Sequence, residues 1–315
     1  MPVPMLPLPA PGEVLLVNTC YEDGNSAMWD TVLQTLGGRR EGDVVVIGDD
    51  GAGAGPEVAL RLTASPAWDY LHAGDFPALR PPGFTAPIIV QADIPAVFGG
   101  DAPLLVDLRE VPGRGVRVPV ERLATVVTGL HDGTITFAEL IRAMDRRGTY
   151  LGDAGAPTNP TPTDVTRTDY PRLPRCPSGT LLIRTDFTNE EGWTSLVSAL
   201  VTLDDDGYLS PDADPAETSL IARVVNDPAF DALQPGQVPA LIPTVTRNDH
   251  HTTMVALADA QTLTTPAHRL LAVDLYDTPG QSLRIPLSGA AAMAVNLEIA
   301  NMGFYEYENY EDWVH

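Results

Sequence analysis

Residues 181–187 read Leu-Leu-Ile-Arg-Thr-Asp-Phe, and residues 15–21 read Leu-Leu-Val-Asn-Thr-Cys-Tyr. Each run begins with an unbroken apolar segment, which is typical of a strand covered on both faces of its sheet. A tryptophan and a largely apolar stretch follow each run, at residues 29–36 and 193–200. The chain therefore contains the same predicted strand and helix twice.

The correspondence continues through the rest of both segments. Positions 107 and 274 are 167 residues apart, and so are positions 139 and 306, with matching residues in the same order between them. This constancy predicts a tandem duplication. The polar residues that both copies share are Asp69 with Asp231, Asp107 with Asp274, Arg117 with Arg284, and Glu139 with Glu306.

These patterns predict two copies of one α/β domain, each a mixed sheet with helices on its faces. We expect a flexible N-terminal segment at 1–12, the first copy at 13–152 and the second at 179–315. Prolines and threonines alternate in residues 153–178, which predicts an extended, semi-rigid linker.

Two local motifs predict specific contacts. Pro112-Gly113 and Pro279-Gly280 each lie between apolar runs, which predicts a β-hairpin turn in each copy. With the turn centred there, we expect Arg117 to pair with Glu110, and Arg284 with Asp277, as exposed cross-strand ion pairs. Residues 188–191, Thr-Asn-Glu-Glu, have the form of a capping box at a helix start.

Charge excludes several classes of function. The chain has 42 acidic and 19 basic residues, a formal charge of −23, and every basic residue is an arginine. Such a chain repels nucleic acid and anionic lipid, so we expect a basic protein partner, no nucleic-acid partner and no membrane partner. Without lysine, P-loop, Schiff-base and kinase-type chemistry are excluded. The second copy is the more acidic, because residues 1–152 carry 11 arginines against 19 acids, and residues 153–315 carry 8 against 23.

Composition also bears on the compartment. The apolar runs are shorter than the roughly 20 residues of a membrane span. The start of the chain, residues 1–12, has prolines and no positive charge, unlike a secretory signal. Cys20 and Cys176 do not occupy matching places in the two copies. We therefore expect a cytoplasmic protein without disulfides.

Four motifs invite a binding or catalytic role, and a structural reading is favoured for each. The glycine-rich run at 47–55 is followed by a predicted strand instead of a phosphate-binding helix. The acidic turn at 204–207 lacks the ligand spacing of a calcium loop. Neighbouring His250 and His251, with His268, have no counterpart in the first copy, and Cys20 is replaced by Asp186 in the second. We expect no metal, no cofactor and no catalytic residue among these motifs.

The second copy resembles an uncharacterised bacterial domain family of unknown function. The resemblance rests on Thr-Asp-Phe at 185–187 before a helix with tryptophan, Asp-Leu-Tyr-Asp-Thr-Pro-Gly at 274–280, and Ile-Ala-Asn-Met-Gly-Phe at 299–304. It covers residues 180–307 well and the first copy more loosely. The resemblance implies domain boundaries and no mechanism.

These observations favour a non-catalytic, acidic protein-binding module, such as an immunity or antitoxin-like inhibitor of a basic partner. Aromatic anchors beside carboxylates would then form the contact surface near the C-terminus, although a solvated tail explains them equally well. An enzyme with a carboxylate-lined cleft near Asp186 or between the domains, and a structural scaffold, are the alternatives. The candidate partner-binding residues are Tyr305, Glu306, Tyr307, Glu308, Tyr310, Glu311, Asp312 and Trp313.

Overall fold

The computed structural model describes residues 3–20, 26–48, 55–152, 161–165, 167–212, 219–244 and 252–308. The chain divides into two compact units, Met1–Asn159 and Pro160–His315. The first unit contains the first copy of the repeat and the second unit contains the second copy. The predicted duplication is thus reproduced as two separately packed α/β units.

The described part of the first unit forms a sheet in the order β2-β3-β4-β1-β5-β6-β7. The three inner strands β4, β1 and β5 are parallel, whereas the outer strands pair antiparallel. The strands are Glu13–Asn18 (β1), Arg39–Glu41 (β2), Val44–Gly48 (β3), Glu57–Ala64 (β4), Ile88–Ala92 (β5), Leu104–Asp107 (β6) and Gly115–Arg117 (β7); the helices are Ser26–Leu36 (α1), Val120–Asp132 (α2) and Phe137–Arg142 (α3).

The described part of the second unit repeats this plan in the order β13-β12-β11-β8-β10-β9. Here β9, β10, β8 and β11 are parallel, and β12 and β13 pair antiparallel at one side. The strands are Thr180–Arg184 (β8), Val201–Thr202 (β9), Ile221–Val225 (β10), Met254–Ala258 (β11), Leu270–Asp274 (β12) and Ser282–Ile285 (β13); the helices are Glu190–Ser198 (α4), Ala260–Thr264 (α5) and Leu287–Glu298 (α6).

Both faces of each sheet are covered, as the apolar strands predict. In β1, Val14 and Leu16 pack against the α-helices, while Leu15 and Val17 pack against short 3₁₀ turns on the other face. Strand β8 divides its side chains in the same way between two cores. The central strand of each unit is therefore buried on both sides, and the predicted mixed α/β fold is confirmed.

The N-terminal segment packs on the first unit, whereas the sequence predicted a flexible segment. Leu6 is buried, and its amide donates to the carbonyl of Leu79 at 2.9 Å. The indole nitrogen of Trp68 donates to the carbonyl of Pro4 at 3.1 Å. A short apolar run among prolines was enough to fill a gap beside the 3₁₀ turns.

The later part of the expected linker belongs to the second unit. Leu173 and Cys176 are buried in the core beside β8, and the Leu173 amide donates to the carbonyl of Leu241 at 2.9 Å. The guanidinium of Arg172 bonds to the carbonyls of Ala240 and Ile242 at 3.0 and 3.1 Å. Residues 161–178 are extended where described, but they are anchored to a folded unit.

The two hairpins form, with a wider turn than Pro-Gly alone predicts. Arg117 pairs with Leu104 in the β6–β7 register, and Arg284 pairs with Leu271 in β12–β13. Each turn spans the residues between Asp107 and Arg114 or between Asp274 and Gln281. This register places the arginines at the far end of the hairpin, away from Glu110 and Asp277.

None of the helices in the described ranges has both the length and the apolar character to cross a membrane.

Candidate functional site

The strand-end site of each unit lies at the carboxyl ends of its central parallel strands. Strand β1 lies between β4 and β5, and β8 lies between β10 and β11, so the chain leaves the central strand in opposite directions. Crevices at such reversals are where open α/β sheets usually bind ligands. We therefore describe the side chains at this edge first.

A strained backbone contact is repeated at the strand-end site. The carbonyl of Thr19 accepts from the amide of Tyr70 at 2.9 Å, and that of Thr185 accepts from Ala232 at 3.0 Å. Tyr70 and Ala232 have φ values of 63° and 58°. Because side chains crowd the backbone in this left-handed region, both copies store strain at the same point.

A bidentate ion pair also occurs at this edge in both units. Arg117 donates to the carboxylate of Asp93 at 3.2 and 2.8 Å. Arg284 donates to Asp259 through both terminal nitrogens, one of them at 2.8 Å. The predicted pairs with Glu110 and Asp277 were wrong because the wider turns shift the hairpin register.

Asp93 and Asp259 also hold the chain that leaves β5 and β11. Asp93 accepts from the amide of Ala96 at 3.1 Å, and Asp259 from that of Thr262 at 3.0 Å. Burial acts to raise the pKa of Asp259, but hydrogen bonds from Arg284 and Thr262 outweigh it and hold the pKa below its usual value. The sequence analysis missed this pair because positions 93 and 259 are 166 residues apart, one fewer than the offset of the hairpins.

Asp107 and Asp274 organise the hairpin turns. Each buried carboxylate accepts three backbone amides of its own turn, at 2.6–3.0 Å in the first unit and 2.6–3.2 Å in the second. Burial raises the pKa of Asp107 in spite of these bonds. Burial, followed by repulsion from Asp277, raises the pKa of Asp274 to about 7.

The remaining shared carboxylates bond to helix starts. Glu110 accepts from the amides of Phe137 and Ala138 at 3.0 and 3.3 Å, and Glu139 accepts from Thr136 at 2.7 Å. In the second unit Asp277 accepts from Phe304 at 3.0 Å, and Glu306 accepts from Gly303 at 2.7 Å. These carboxylates hold backbone amides in place.

Arg184 distinguishes the second strand-end site from the first, where Asn18 occupies its place. Its side chain is 3% exposed, and its Nη1 donates to Glu190 Oε2 at 2.8 Å. Its guanidinium carbon lies 4.6 Å from the ring centre of Phe187 and 5.2 Å from that of Trp193. Arg184 thus joins the end of β8 to the first turn of α4.

Asp186, the carboxylate proposed for an enzymatic cleft, bonds within its own turn. Its Oδ1 accepts from the amide and the hydroxyl of Thr188 at 2.7 and 2.6 Å. Helix α4 is capped by Asn189, which accepts from Gly192 at 2.9 Å, so the predicted Thr188–Glu191 capping box was wrong by one residue. The asparagine wins because the hydroxyl of Thr188 is already bonded to Asp186.

Part of the proposed C-terminal contact surface is core. Tyr307 is 1% exposed, and its hydroxyl bonds to the side chain of Asn296 at 2.8 Å, so it is not an exposed anchor. Tyr305 and Glu306 are half-buried, while Glu308 is exposed. Tyr310, Glu311, Asp312 and Trp313 lie outside the described residues.

The other candidate motifs are reported where they are described. Cys20 and Cys176 are buried thiols. His268 lies 3.0 Å from the hydroxyl of Ser195, and Asp204 accepts from two amides of its own acidic turn. Residues 49–54 and 249–251 lie outside the described residues. Within the described ranges, no group of three or more metal-binding side chains is arranged to hold an ion.

Two surface grooves of the first unit lie beside α2. One has a volume of about 520 Å³ between α1, the turn Pro95–Gly99 and the start of α2. The other has a volume of about 730 Å³ between α2 and α3, where Arg122, Glu139 and Tyr150 line it. In the second unit the place of Leu140 is taken by Tyr307, whose ring packs toward α6.

Comparison with family models gives two matches, at residues 13–153 and 179–313, to the domain of unknown function DUF6924. The chain belongs to this family. Each DUF6924 segment corresponds to one copy of the repeat, so the resemblance seen in the second copy extends to the first. The comparisons with curated proteins and with solved structures gave no match.

Proposed function

We propose that this protein is a non-catalytic, acidic protein-binding module that inhibits a basic protein partner in the manner of an immunity protein or antitoxin. The proposal places it in the cytoplasm, where the buried thiols Cys20 and Cys176 stay reduced. Its second unit makes the contact, and its partner is a protein because the same negative surface repels nucleic acid.

The distribution of exposed charge carries this proposal. Among the described residues of the first unit, eight acidic side chains and eight arginines are exposed. Among those of the second unit, twelve acidic side chains and two arginines, Arg172 and Arg175, are exposed. The second unit therefore presents a negative surface, whereas the described surface of the first is balanced.

The arginines of the second unit are largely turned inward. Arg184 and Arg284 form ion pairs at the strand-end site. Arg223 bonds to the carbonyls of Arg175 and Asp205. Because these guanidinium groups serve the fold, the exposed carboxylates face solvent without matching cations and can steer a basic protein into contact.

The test begins with a tagged full-length chain expressed in its native host. Captured proteins are identified, and a purified candidate is then measured against three chains: the wild type, a triple variant with Asp205→Asn, Asp206→Asn and Asp212→Asn, and a control with Glu57→Gln, Asp101→Asn and Asp132→Asn. All six residues are exposed, with three in each unit.

We expect a basic partner whose association with the second-unit variant is several-fold slower than with the wild type or the control. The difference should shrink when salt rises from 50 to about 500 mM, because screening removes long-range steering. A partner that is acidic, or equal association rates for the two triple variants, would overturn the proposal.

A further inference from the structure

An exposed stripe runs along α6 in the second unit. We define the α6 stripe as Ser288, Ala292, Val295 and Ile299, which follow one another at intervals of four, three and four residues and lie on one helical face. Val295 is 56% exposed and Ile299 is 65% exposed. Two large apolar side chains one turn apart thus face solvent together.

The position of Ile299 is fixed by the end of the helix. Its amide donates to the carbonyl of Val295 at 3.1 Å. Ala300 then takes a left-handed conformation, with φ of 52°, and its amide bonds to Leu297 at 3.2 Å. The backbone therefore holds Ile299 in line with the rest of the α6 stripe.

The first unit provides an internal comparison. Helix α2 occupies the same place in its fold, and the residues 167 positions before the α6 stripe are Glu121, Thr125, Thr128 and Asp132. Three of the four are exposed and Thr128 is half-buried. The fold therefore accepts a polar face here, so the apolar face of α6 is not needed for packing within the unit.

The charges around the α6 stripe are all negative over a long stretch of chain. No basic residue occurs between Ile285 and Val314, whereas five acidic residues do. Glu298 is exposed between Val295 and Ile299 in sequence, and exposed Glu308 follows Tyr307, whose hydroxyl bonds to the carbonyl of Ala292 at 3.3 Å. The apolar face is thus bordered by carboxylates.

We propose that the α6 stripe is the docking surface for a basic amphipathic helix of a protein partner. The partner's apolar side chains pack on Val295 and Ile299, small Ala292 allows close approach of its backbone, and its cations face Glu298 and Glu308. The inference rests on the proposed function and adds the place and the shape of the contact. A second copy of this chain is disfavoured as the occupant because two strongly acidic surfaces repel each other.

The test measures binding of three synthetic peptides of about 18 residues, long enough to form an amphipathic helix. The first is an amphipathic leucine and arginine helix, the second has the same composition in an order that disperses the leucines, and the third replaces each arginine of the first by glutamate. Each is titrated against the wild type, the double variant Val295→Ser with Ile299→Ser, and the control Tyr208→Ser. Tyr208 is 57% exposed in the same unit.

We expect the amphipathic basic peptide to bind the wild type and the Tyr208→Ser variant equally, and the double variant at least tenfold more weakly. The dispersed peptide should bind all three weakly, and the acidic peptide should not bind. Valine, isoleucine and serine have similar helix propensities, so the double variant should keep the wild-type circular dichroism and melting temperature.

The remaining outcomes separate the two proposals. Equal binding of the two basic peptides, unaffected by the double variant, would overturn the α6 stripe and leave the acidic binding module intact. Failure of both basic peptides to bind would overturn both. Concentration-dependent dimerisation of the wild type that the double variant abolishes would make a second copy the occupant and overturn the inference.

Discussion

The amide of Asp107 donates to the carbonyl of Arg114 at 2.8 Å and closes the turn of the first hairpin. Asp274 makes the same bond to Gln281 at 2.9 Å in the second. The backbone is thus repeated, but a buried arginine stands in one turn where a neutral amide stands in the other. Burial lowers the pKa of Arg114 to about 10, while Asp107 and Glu110 act to raise it. The two buried aspartates therefore have different electrostatic surroundings.

The second unit should lose stability as pH rises from about 4 to about 7. Asp274 has a folded pKa of about 7, raised from 3.8, so the folded state keeps its proton over this range while the unfolded state has lost it. Its stabilising contribution is complete below pH 3.8 and disappears through pH 7. We expect a loss on the order of a few kcal/mol, measured as hydrogen exchange of β12 at pH 5 and pH 8.

The control for this pH dependence is Asp274→Asn, which removes the titrating group. The variant should be less stable than the wild type at pH 5, because an amide cannot accept all three turn amides. Its stability should nevertheless change less between pH 5 and pH 8. An unchanged pH dependence would show that another group is responsible.

Arg114→Gln should give the first unit a similar sensitivity to pH. The side chain that replaces arginine is the one that Gln281 provides at the equivalent position, so the turn can accommodate it. Without the guanidinium, Asp107 and Glu110 lose a nearby positive charge, and the pKa of Asp107 should rise further. We expect a loss of about 1–3 kcal/mol at pH 8 and a smaller loss at pH 5. Exposed Arg40→Gln, as the control, should change stability by less than about 0.5 kcal/mol at both pH values.

The fold was accessible from the sequence because its signals are local. Apolar runs predicted the central strands, and the constant offset of 167 residues predicted two copies, which the two DUF6924 matches confirm. The hairpin register was not accessible, because the turn is built on three amides that bond to Asp107. A carboxylate that folds its own turn leaves no pattern of hydrophobicity or spacing.

The strand-end site and the charged surface depend on contacts that the sequence does not order. Asp93 meets Arg117 across 24 residues, and the equivalent pair of the second unit spans 25. The net charge of each half was readable, but the number of exposed arginines was not. The strong imbalance on the second unit emerges only when burial separates the arginines that serve the fold from those that face solvent.

Replacing either aspartate of the repeated ion pair by asparagine should destabilise its own unit, and the first unit more strongly. Arg117 and Asp93 are 3% and 10% exposed, whereas Arg284 and Asp259 are 24% and 29% exposed. A buried arginine without its partner costs about 3–5 kcal/mol, and water relieves part of that cost at the more open site. Hydrogen exchange of β5 in Asp93→Asn and of β11 in Asp259→Asn gives the comparison. Equal losses in the two variants would contradict the role assigned to burial.

Ala232→Gly should stabilise the second unit. Ala232 is exposed, and its φ of 58° lies in the region that only glycine adopts without crowding. Relief of about 1–2 kcal/mol of strain is partly offset by the greater freedom of glycine in the unfolded chain, so we expect a net gain of about 0.5–1 kcal/mol and a higher melting temperature. The matched control is Ala199→Gly, at an exposed residue with φ of −94°, where the same change brings no relief and should lower the melting temperature. A lower melting temperature for Ala232→Gly would mean that the methyl group contributes more by packing than it costs in strain.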